Sequence, residues 1–104
     1  MAIIGDPFVA NVSKQMSNDE LMQALRVDIA GELEAIIGYE AHAMATNDER
    51  VKKVLKHIAD DERQHVGQLQ QVLSMLSPND QEKTEKGKQA IIQQQQQNFQ
   101  FQMQ

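Results

Sequence analysis

The 104-residue chain contains no cysteine, which excludes disulfides, zinc–thiolate sites and iron–sulfur clusters within it. Any metal ion bound by this chain must therefore use oxygen and nitrogen ligands. An excess of basic residues is also absent, because the formal net charge is −5. A chain with this charge lacks the positive surface that binds nucleic-acid phosphates, and it should attract cations instead.

Long apolar runs are missing from the N-terminal segment, residues 1–16. Its apolar stretch is too short for a membrane span and follows no basic region, so we expect neither a secretory signal nor a transmembrane helix. The resulting prediction is a cytoplasmic protein. Gly5 and Pro7 interrupt the segment, which predicts an irregular arm.

Two capping boxes divide the next part of the chain into helices. Ser17 and Glu20 have the Ser-x-x-Glu spacing that begins a helix, and Thr46 and Glu49 repeat the equivalent spacing further along. The turn before the second box is so short that the two helices should pack antiparallel as a hairpin. The predicted helices cover residues 17–45 and about 47–76.

A third, shorter helix should begin at Ser77 and Pro78, which provide an N-cap followed by proline at the first helical position. The chain then becomes polar and includes a glutamine tract that cannot build a core of its own. We divide the chain into an irregular arm (1–16), a helical half-bundle (17–97) and a Gln/Phe-rich tail (98–104) that is predicted to be disordered.

Apolar residues alternate at spacings of four and three in the first two predicted helices, which is the pattern of a packed helical seam. Four ionisable residues interrupt these seams near their centres: Glu32 and Tyr39 in the first helix, Glu62 and His65 in the second. A purely structural coiled coil would not place them where packing buries side chains most. The apolar members of the seams are Leu25, Ile29, Ile36, Ala43, Val51, Leu55, Ile58, Leu69, Val72 and Leu76.

Glu62 and His65 are three positions apart, so on a helix they project from neighbouring points of one face and can bind one ion. Together with Glu32 they form half of the ligand set of a carboxylate-bridged di-metal centre, and two copies of the chain would complete it. Burying four carboxylates would cost on the order of 10 kcal/mol, so two divalent cations are the simplest way to balance them. Oxygen and imidazole ligands suit Fe(II), Mn(II) or Zn(II).

Tyr39 follows Glu32 by two helical turns. When this tyrosine is considered together with the three ligand residues, residues 31–39 and 56–65 resemble the encapsulated ferritins, a short two-helix branch of the ferritin-like superfamily. The resemblance implies an all-α fold in which an antiparallel hairpin and a short C-terminal helix complete a ferritin-like four-helix bundle by dimerisation. It also implies an enzyme, a ferroxidase that oxidises Fe(II) to Fe(III) with dioxygen at a di-iron centre between two subunits.

Carried over to this sequence, the family's pattern implies that Glu32, Glu62 and His65 of both subunits bind iron. It further implies that Tyr39 hydrogen-bonds one of these ligands and that Glu34 lies where metal enters. Five dimers would close into a ring, and the oxidised iron would pass to a surrounding encapsulin shell in iron storage or detoxification. The tail at 98–104 does not match the short shell-targeting peptide that is common in the family.

Two other functions are compatible with the same residues. One is a rubrerythrin-like di-iron protein that scavenges oxygen or peroxide, although without cysteines it would have to borrow a reductase. The other is a non-catalytic helical dimer stapled by Zn(II) or Mn(II), which would bind metal tightly and consume no oxygen. An isolated Glu-x-x-His is usually a solvated pair, but the seam positions of Glu62 and His65 argue against that interpretation.

Overall fold

The computed structural model describes residues 15–103 and contains three α-helices in that range. Helix α1 spans Asn18–Ala45, α2 spans Glu49–Leu76 and α3 spans Pro78–Met103. The described residues form no strand, so the all-α prediction is confirmed. Nearly all of the predicted N-terminal arm, 1–16, lies outside the described residues.

Helix α1 begins where the sequence predicts. The Ser17 hydroxyl accepts a hydrogen bond from the backbone N–H of Glu20 (3.2 Å), and the Glu20 carboxylate accepts one from the backbone N–H of Ser17 (3.1 Å). This capping box satisfies donors that the start of a helix leaves without a partner. The helix ends at Ala45, and Thr46 then adopts an extended backbone.

The second predicted capping box is wrong. The Thr46 hydroxyl instead accepts a hydrogen bond from the backbone N–H of Asp48 (3.1 Å), within the turn between the helices. Asp48 is the N-cap of α2, because its carboxylate accepts from the backbone N–H of Arg50 (3.0 Å), and the helix begins at Glu49 rather than at 47. The hydrogen bonds from the Arg50 side chain and backbone hold the pKa of Asp48 below its usual range. An ionised carboxylate at this position stabilises the positive end of the helix dipole, which a threonine hydroxyl cannot do.

Helices α1 and α2 form the predicted antiparallel hairpin. Arg63 of α2 pairs with Glu40 of α1, whereas His65, further along α2, lies beside Glu32, which is earlier in α1. The two helices therefore run in opposite directions. The buried apolar side chains of the described residues are Leu25, Ile36, Ala43, Ala59 and Leu73, and they lie along this hairpin.

The predicted seam of α1 lies at the hairpin interface, since all of its members are buried or half-buried. The predicted seam of α2 does so only in part. Val51, His65 and Val72 are exposed, while Ala59 and Leu73, each one position beyond a seam residue, are buried. The difference arises because a hairpin offers α2 one neighbouring helix, whereas the sequence pattern is that of a helix inside a bundle.

Helix α3 is longer than predicted. It has 26 residues and continues through 98–103, where the sequence predicts a disordered tail. After Gly87 this part of the chain contains neither glycine nor proline, and glutamine is a good helix former, so no local signal ends the helix. Its start is as predicted, with the Ser77 hydroxyl accepting a hydrogen bond from the backbone N–H of Asp80 (3.2 Å).

The start of α3 is fixed to the hairpin by an ion pair in which one guanidinium nitrogen contacts both carboxylate oxygens. The Arg26 guanidinium of α1 donates to both carboxylate oxygens of Asp80, at 2.9 and 3.0 Å. These bonds, followed by one from the Ser77 hydroxyl, hold the pKa of Asp80 below its usual range. Beyond this anchor every residue from Gln81 to Met103 is exposed, so α3 projects away from the hairpin.

The described chain is thin, with principal extents of 61, 45 and 19 Å. A helix with its side chains is about 10–12 Å across, so the smallest extent accommodates no more than about two helix layers. The four-helix bundle that the sequence predicts would therefore require a second chain. Within residues 15–103, none of the helices has the length and apolar character required for a membrane crossing.

Candidate metal centre

The hairpin brings together three of the residues that the sequence singles out. Glu32 comes from the middle of α1, and Glu62 and His65 come from the middle of α2. Each offers one ligand atom, and these atoms lie within 4.8 Å of one another. Because the antiparallel register places 32 opposite 62–65, one carboxylate and a Glu-x-x-His meet across the hairpin.

His65 presents its Nδ1 atom to both carboxylates. This nitrogen lies 3.3 Å from Oε2 of Glu62 and 3.5 Å from Oε2 of Glu32. The shorter distance allows a weak hydrogen bond, and the longer one is beyond the usual range for N–H···O bonds. The two carboxylate oxygens and the imidazole nitrogen therefore form a triangle of ligand atoms around a common point.

One buried oxygen in the cluster has no hydrogen-bond partner. Oε2 of Glu32 is buried and makes no hydrogen bond within the described residues. No Lys or Arg side chain of the described chain pairs with Glu32 or Glu62, whose side chains are only 28% and 18% exposed. A buried carboxylate oxygen without a donor is costly, and a second carboxylate beside it increases the cost. A bound cation would relieve both penalties, so the donor set fits a divalent metal ion.

The cluster is open on the side of His65, whose side chain is 50% exposed. Val51, Val54 and Val72 are also exposed on α2. At 100° per residue these four positions lie within about 60° of one another around the helix, so they form one stripe. We call this set, Val51, Val54, His65 and Val72, the α2 stripe. An apolar stripe that contains a potential metal ligand is suited to contact with another polypeptide surface.

A second cross-helix pair fixes the register of the hairpin near the cluster. The Arg63 guanidinium contacts Glu40 of α1 at 2.9 Å and Asp60 of its own helix at 2.8 Å. Glu40 is the main cause that raises the pKa of Arg63 above its usual value, and Asp60 adds to it. Arg63 is the residue after Glu62, so this pair fixes α1 against α2 at the level of the cluster. Sequence reasoning missed it, because nothing in the sequence gives the register between two helices.

The other two predicted site residues lie outside the cluster. Tyr39 is half-buried on α1 and makes no hydrogen bond to Glu32, Glu62 or His65 within the part of the chain that the structure describes. Seven residues of helix place it about 10 Å from Glu32 along the axis, which is too far for a direct contact with the same ligand. Glu34 is half-buried and is not a member of the three-residue group.

Comparison with known proteins agrees with the helical fold. The model of the family "Ubiquinone biosynthesis protein COQ7" matches residues 19–79, which is more than half of the chain. A crystal structure of the encapsulated ferritin domain from Pyrococcus furiosus superposes with a TM-score of 0.72 at 35% sequence identity, covering 82% of this chain and 87% of that one.

Two curated relatives are similar over 73 residues, or 70% of this chain. The encapsulin nanocompartment cargo protein EncC of Myxococcus xanthus is 37% identical over this region. The ferritin-like–encapsulin shell fusion protein of Pyrococcus furiosus is 40% identical. The matched region is 56% of the length of the first and 21% of the second. These matches show that the chain belongs to the ferritin-like proteins, with similarity both to the family that the COQ7 model describes and to the encapsulated ferritins.

Proposed function

We propose that two copies of this chain form a ferroxidase centre in which Glu32, Glu62 and His65 of both copies bind a pair of iron ions. The observation that carries the proposal is the buried Oε2 of Glu32, which accepts no hydrogen bond within the described residues and lies beside a second carboxylate and an imidazole. Two copies supply four carboxylates and two imidazoles. The four negative charges equal the positive charge of two Fe(II) ions, so the filled centre is neutral when both imidazoles are neutral.

The second copy is needed for physical reasons. Three protein ligands on a half-exposed cluster leave an iron ion open to water, and one chain provides only two layers of helix. A partner seated on the α2 stripe would cover Val54 and Val72 and enclose His65 at the same time. Apolar burial of this kind contributes roughly 25 cal/mol per Å².

A ring of dimers would require a second contact surface, and α1 offers one. Leu33, Ile37 and Met44 are exposed and lie about 100–140° around α1 from Glu32. This apolar set is therefore well separated from the cluster. We infer that the Glu32 side of the hairpin forms the dimer and that the opposite flank of α1 joins dimers to one another.

The reaction is the transfer of one electron from each Fe(II) to dioxygen. Two Fe(II) ions reduce one dioxygen to hydrogen peroxide with two protons, and four reduce it to two waters with four protons. Carboxylates accommodate both ferrous and ferric ions because they are hard oxygen ligands that can bridge two ions. In this proposal Tyr39, which lies two turns along α1 from Glu32, would hydrogen-bond a ligand of the second copy, and the carboxylate of Glu34 would attract incoming cations.

The biological role that we propose is iron storage or detoxification inside an encapsulin compartment in the cytoplasm. The support is that relatives are named as encapsulin cargo and as a fusion with an encapsulin shell. A thin, open chain cannot enclose a mineral, so the oxidised iron must pass to another container. Co-purification of a shell protein would support this role, and recovery of the protein as a free pool in its native cell would contradict it.

The test is Fe(II) oxidation by the metal-free protein in air, followed by oxygen uptake and by near-ultraviolet absorbance of ferric product. Glu62→Ala should reduce the rate to that of buffer. Glu85→Ala is the matched control, because it removes an exposed carboxylate of α3 away from the cluster and should leave the rate unchanged. Metal binding without oxygen uptake would instead favour the stapled structural dimer, and continued consumption of oxygen or peroxide only when a reductase supplies electrons would favour the rubrerythrin-like function.

A further inference from the structure

Helix α3 carries an exposed apolar face that the rest of the described chain does not cover. Ile92, Phe99 and Met103 are all exposed. Gln95 follows Ile92 by three residues and precedes Phe99 by four, so it lies on the same face of the helix. Ile92, Gln95 and Phe99 also line a shallow hollow on this face. We call Ile92, Gln95, Phe99 and Met103 the α3 seam. A helix that packs against nothing is marginally stable in water, so this seam needs a partner.

The charge pattern restricts what that partner is. All Lys, Arg, Asp and Glu residues of the chain precede residue 89, and none occurs in 89–104. The end of α3 therefore offers no charge to an oppositely charged partner, and two copies with a net charge of −5 can approach here with little repulsion. The glutamine amide both donates and accepts hydrogen bonds, so a glutamine-rich face is complementary to a second copy of itself.

We propose that α3 pairs antiparallel with α3 of a second copy, through a register centred between Gln95 and Gln96. In this register Ile92 of each copy faces Phe99 of the other, and the two central glutamines face each other across the axis. A parallel pair would place Glu85 and Lys88 beside their own like charges. The antiparallel pair instead separates the charged halves of the two helices, so it is the arrangement that charge favours.

Each chain would thus have two different neighbours, one that pairs with it through α3 and another that completes its metal centre. This distinction rests on the proposed function. Arg26, which anchors the start of α3, lies about 120° around α1 from Glu32. Helix α3 therefore leaves the hairpin on a flank away from the cluster. In this register only two layers, the two Ile92–Phe99 contacts, pair large apolar side chains, so the buried area is small beside the roughly 1,200–2,000 Å² of a stable interface. Pairing through α3 thus adds to an assembly that other contacts already hold together. In such an assembly the effective concentration of one α3 helix near another is high, so a small interface is enough.

The chain has no cysteine, so single cysteines test the register directly in the full-length protein. Under mild oxidation Gln95→Cys should form a disulfide-linked dimer at least about tenfold faster than Gln94→Cys, which lies off the seam. Gln102→Cys occupies the same helical face one heptad later, but antiparallel pairing places its counterpart about 20 Å away, so it should not cross-link. Equal rates at 94 and 95 would overturn the pairing. Cross-linking at both 95 and 102 would overturn the antiparallel orientation.

A second variant separates this proposal from the function of the metal centre. Phe99→Ser should reduce the mass of the assembly, measured by light scattering, and leave the rate of Fe(II) oxidation per chain unchanged. An unchanged mass would overturn the proposal even if oxidation is normal. Conversely, rapid cross-linking of the Gln95→Cys variant in a protein that does not oxidise Fe(II) would uphold the α3 pair and refute the ferroxidase.

Discussion

Replacing Glu32 with glutamine should stabilise the metal-free protein and abolish its response to metal. The ligand atoms of Glu32 and Glu62 lie within 4.8 Å of each other. At that distance two unit charges repel by about 3.5 kcal/mol at an effective dielectric constant of 20. The Nδ1 atom of His65 faces both carboxylates and offsets part of this repulsion. We therefore expect Glu32→Gln to raise the free energy of unfolding by about 1–3 kcal/mol.

The assay is urea or thermal unfolding of chelator-treated wild type, Glu32→Gln and the control Glu85→Gln. A gain of 1 kcal/mol corresponds to a rise of roughly 4–8 °C in Tm for a domain of this size. Added Mn(II) or anaerobic Fe(II) should stabilise the wild type and the Glu85 variant by mass action. The same ions should leave Glu32→Gln unchanged, because it lacks one carboxylate of the cluster.

Two results would refute this reasoning. A loss of more than about 1 kcal/mol in metal-free Glu32→Gln would mean that the carboxylate is satisfied in the folded protein and is not waiting for a cation. An equal gain in Tm from metal in wild type and variant would mean that the ion binds elsewhere.

Three further predictions concern the surfaces around the centre. Val54→Lys should convert the protein to monomers in sedimentation experiments and remove its Fe(II) oxidation, because it places a charge in the α2 stripe; a dimeric, active variant would contradict this. Ala59 is 0% exposed between the two helices, so Ala59→Leu should lower the free energy of unfolding by roughly 1–3 kcal/mol in urea titration, and a loss near zero would reveal unfilled space. The pKa of Asp80 is lowered in the folded protein. The stability that its ion pair contributes is therefore fully present above the pKa that Asp80 has in the unfolded chain, and it is lost as the pH falls through the pKa of Asp80 in the folded protein. The stability difference between wild type and Asp80→Asn should thus be steady above about pH 5 and shrink below about pH 4, whereas a pH-independent difference would exclude the ion pair.

Much of the fold follows from local signals in the sequence. The capping box at Ser17 and the Ser77–Pro78 start of α3 are satisfied by residues within a few positions, so the sequence contains everything needed to predict them. The start of α2 shows the limit of such signals. Thr46 and Asp48 are both good N-caps, and the charge of Asp48 and its hydrogen bonds with Arg50 favour the second.

The members of the cluster were predictable because Glu32, Glu62 and His65 occupy positions in the four–three apolar pattern of the two helices. Their distances were not, since these depend on the register between α1 and α2, which the Arg63–Glu40 pair helps to fix. The length of α3 was underestimated for a different reason. A polar, uncharged sequence does not predict a core, yet glutamine has enough helix propensity to continue a helix that is already formed.

The central claim is that one metal centre is shared by two copies of the chain. Crystals loaded anaerobically with Fe(II) test it most directly, because anomalous scattering at the iron edge locates the ions and their ligands. We expect two ions related by a two-fold axis between chains, each within about 2.0–2.3 Å of carboxylate or imidazole atoms from Glu32, Glu62 and His65, with ligands from both copies. Iron bound by the residues of a single chain, or iron absent from this cluster while present elsewhere, would contradict it.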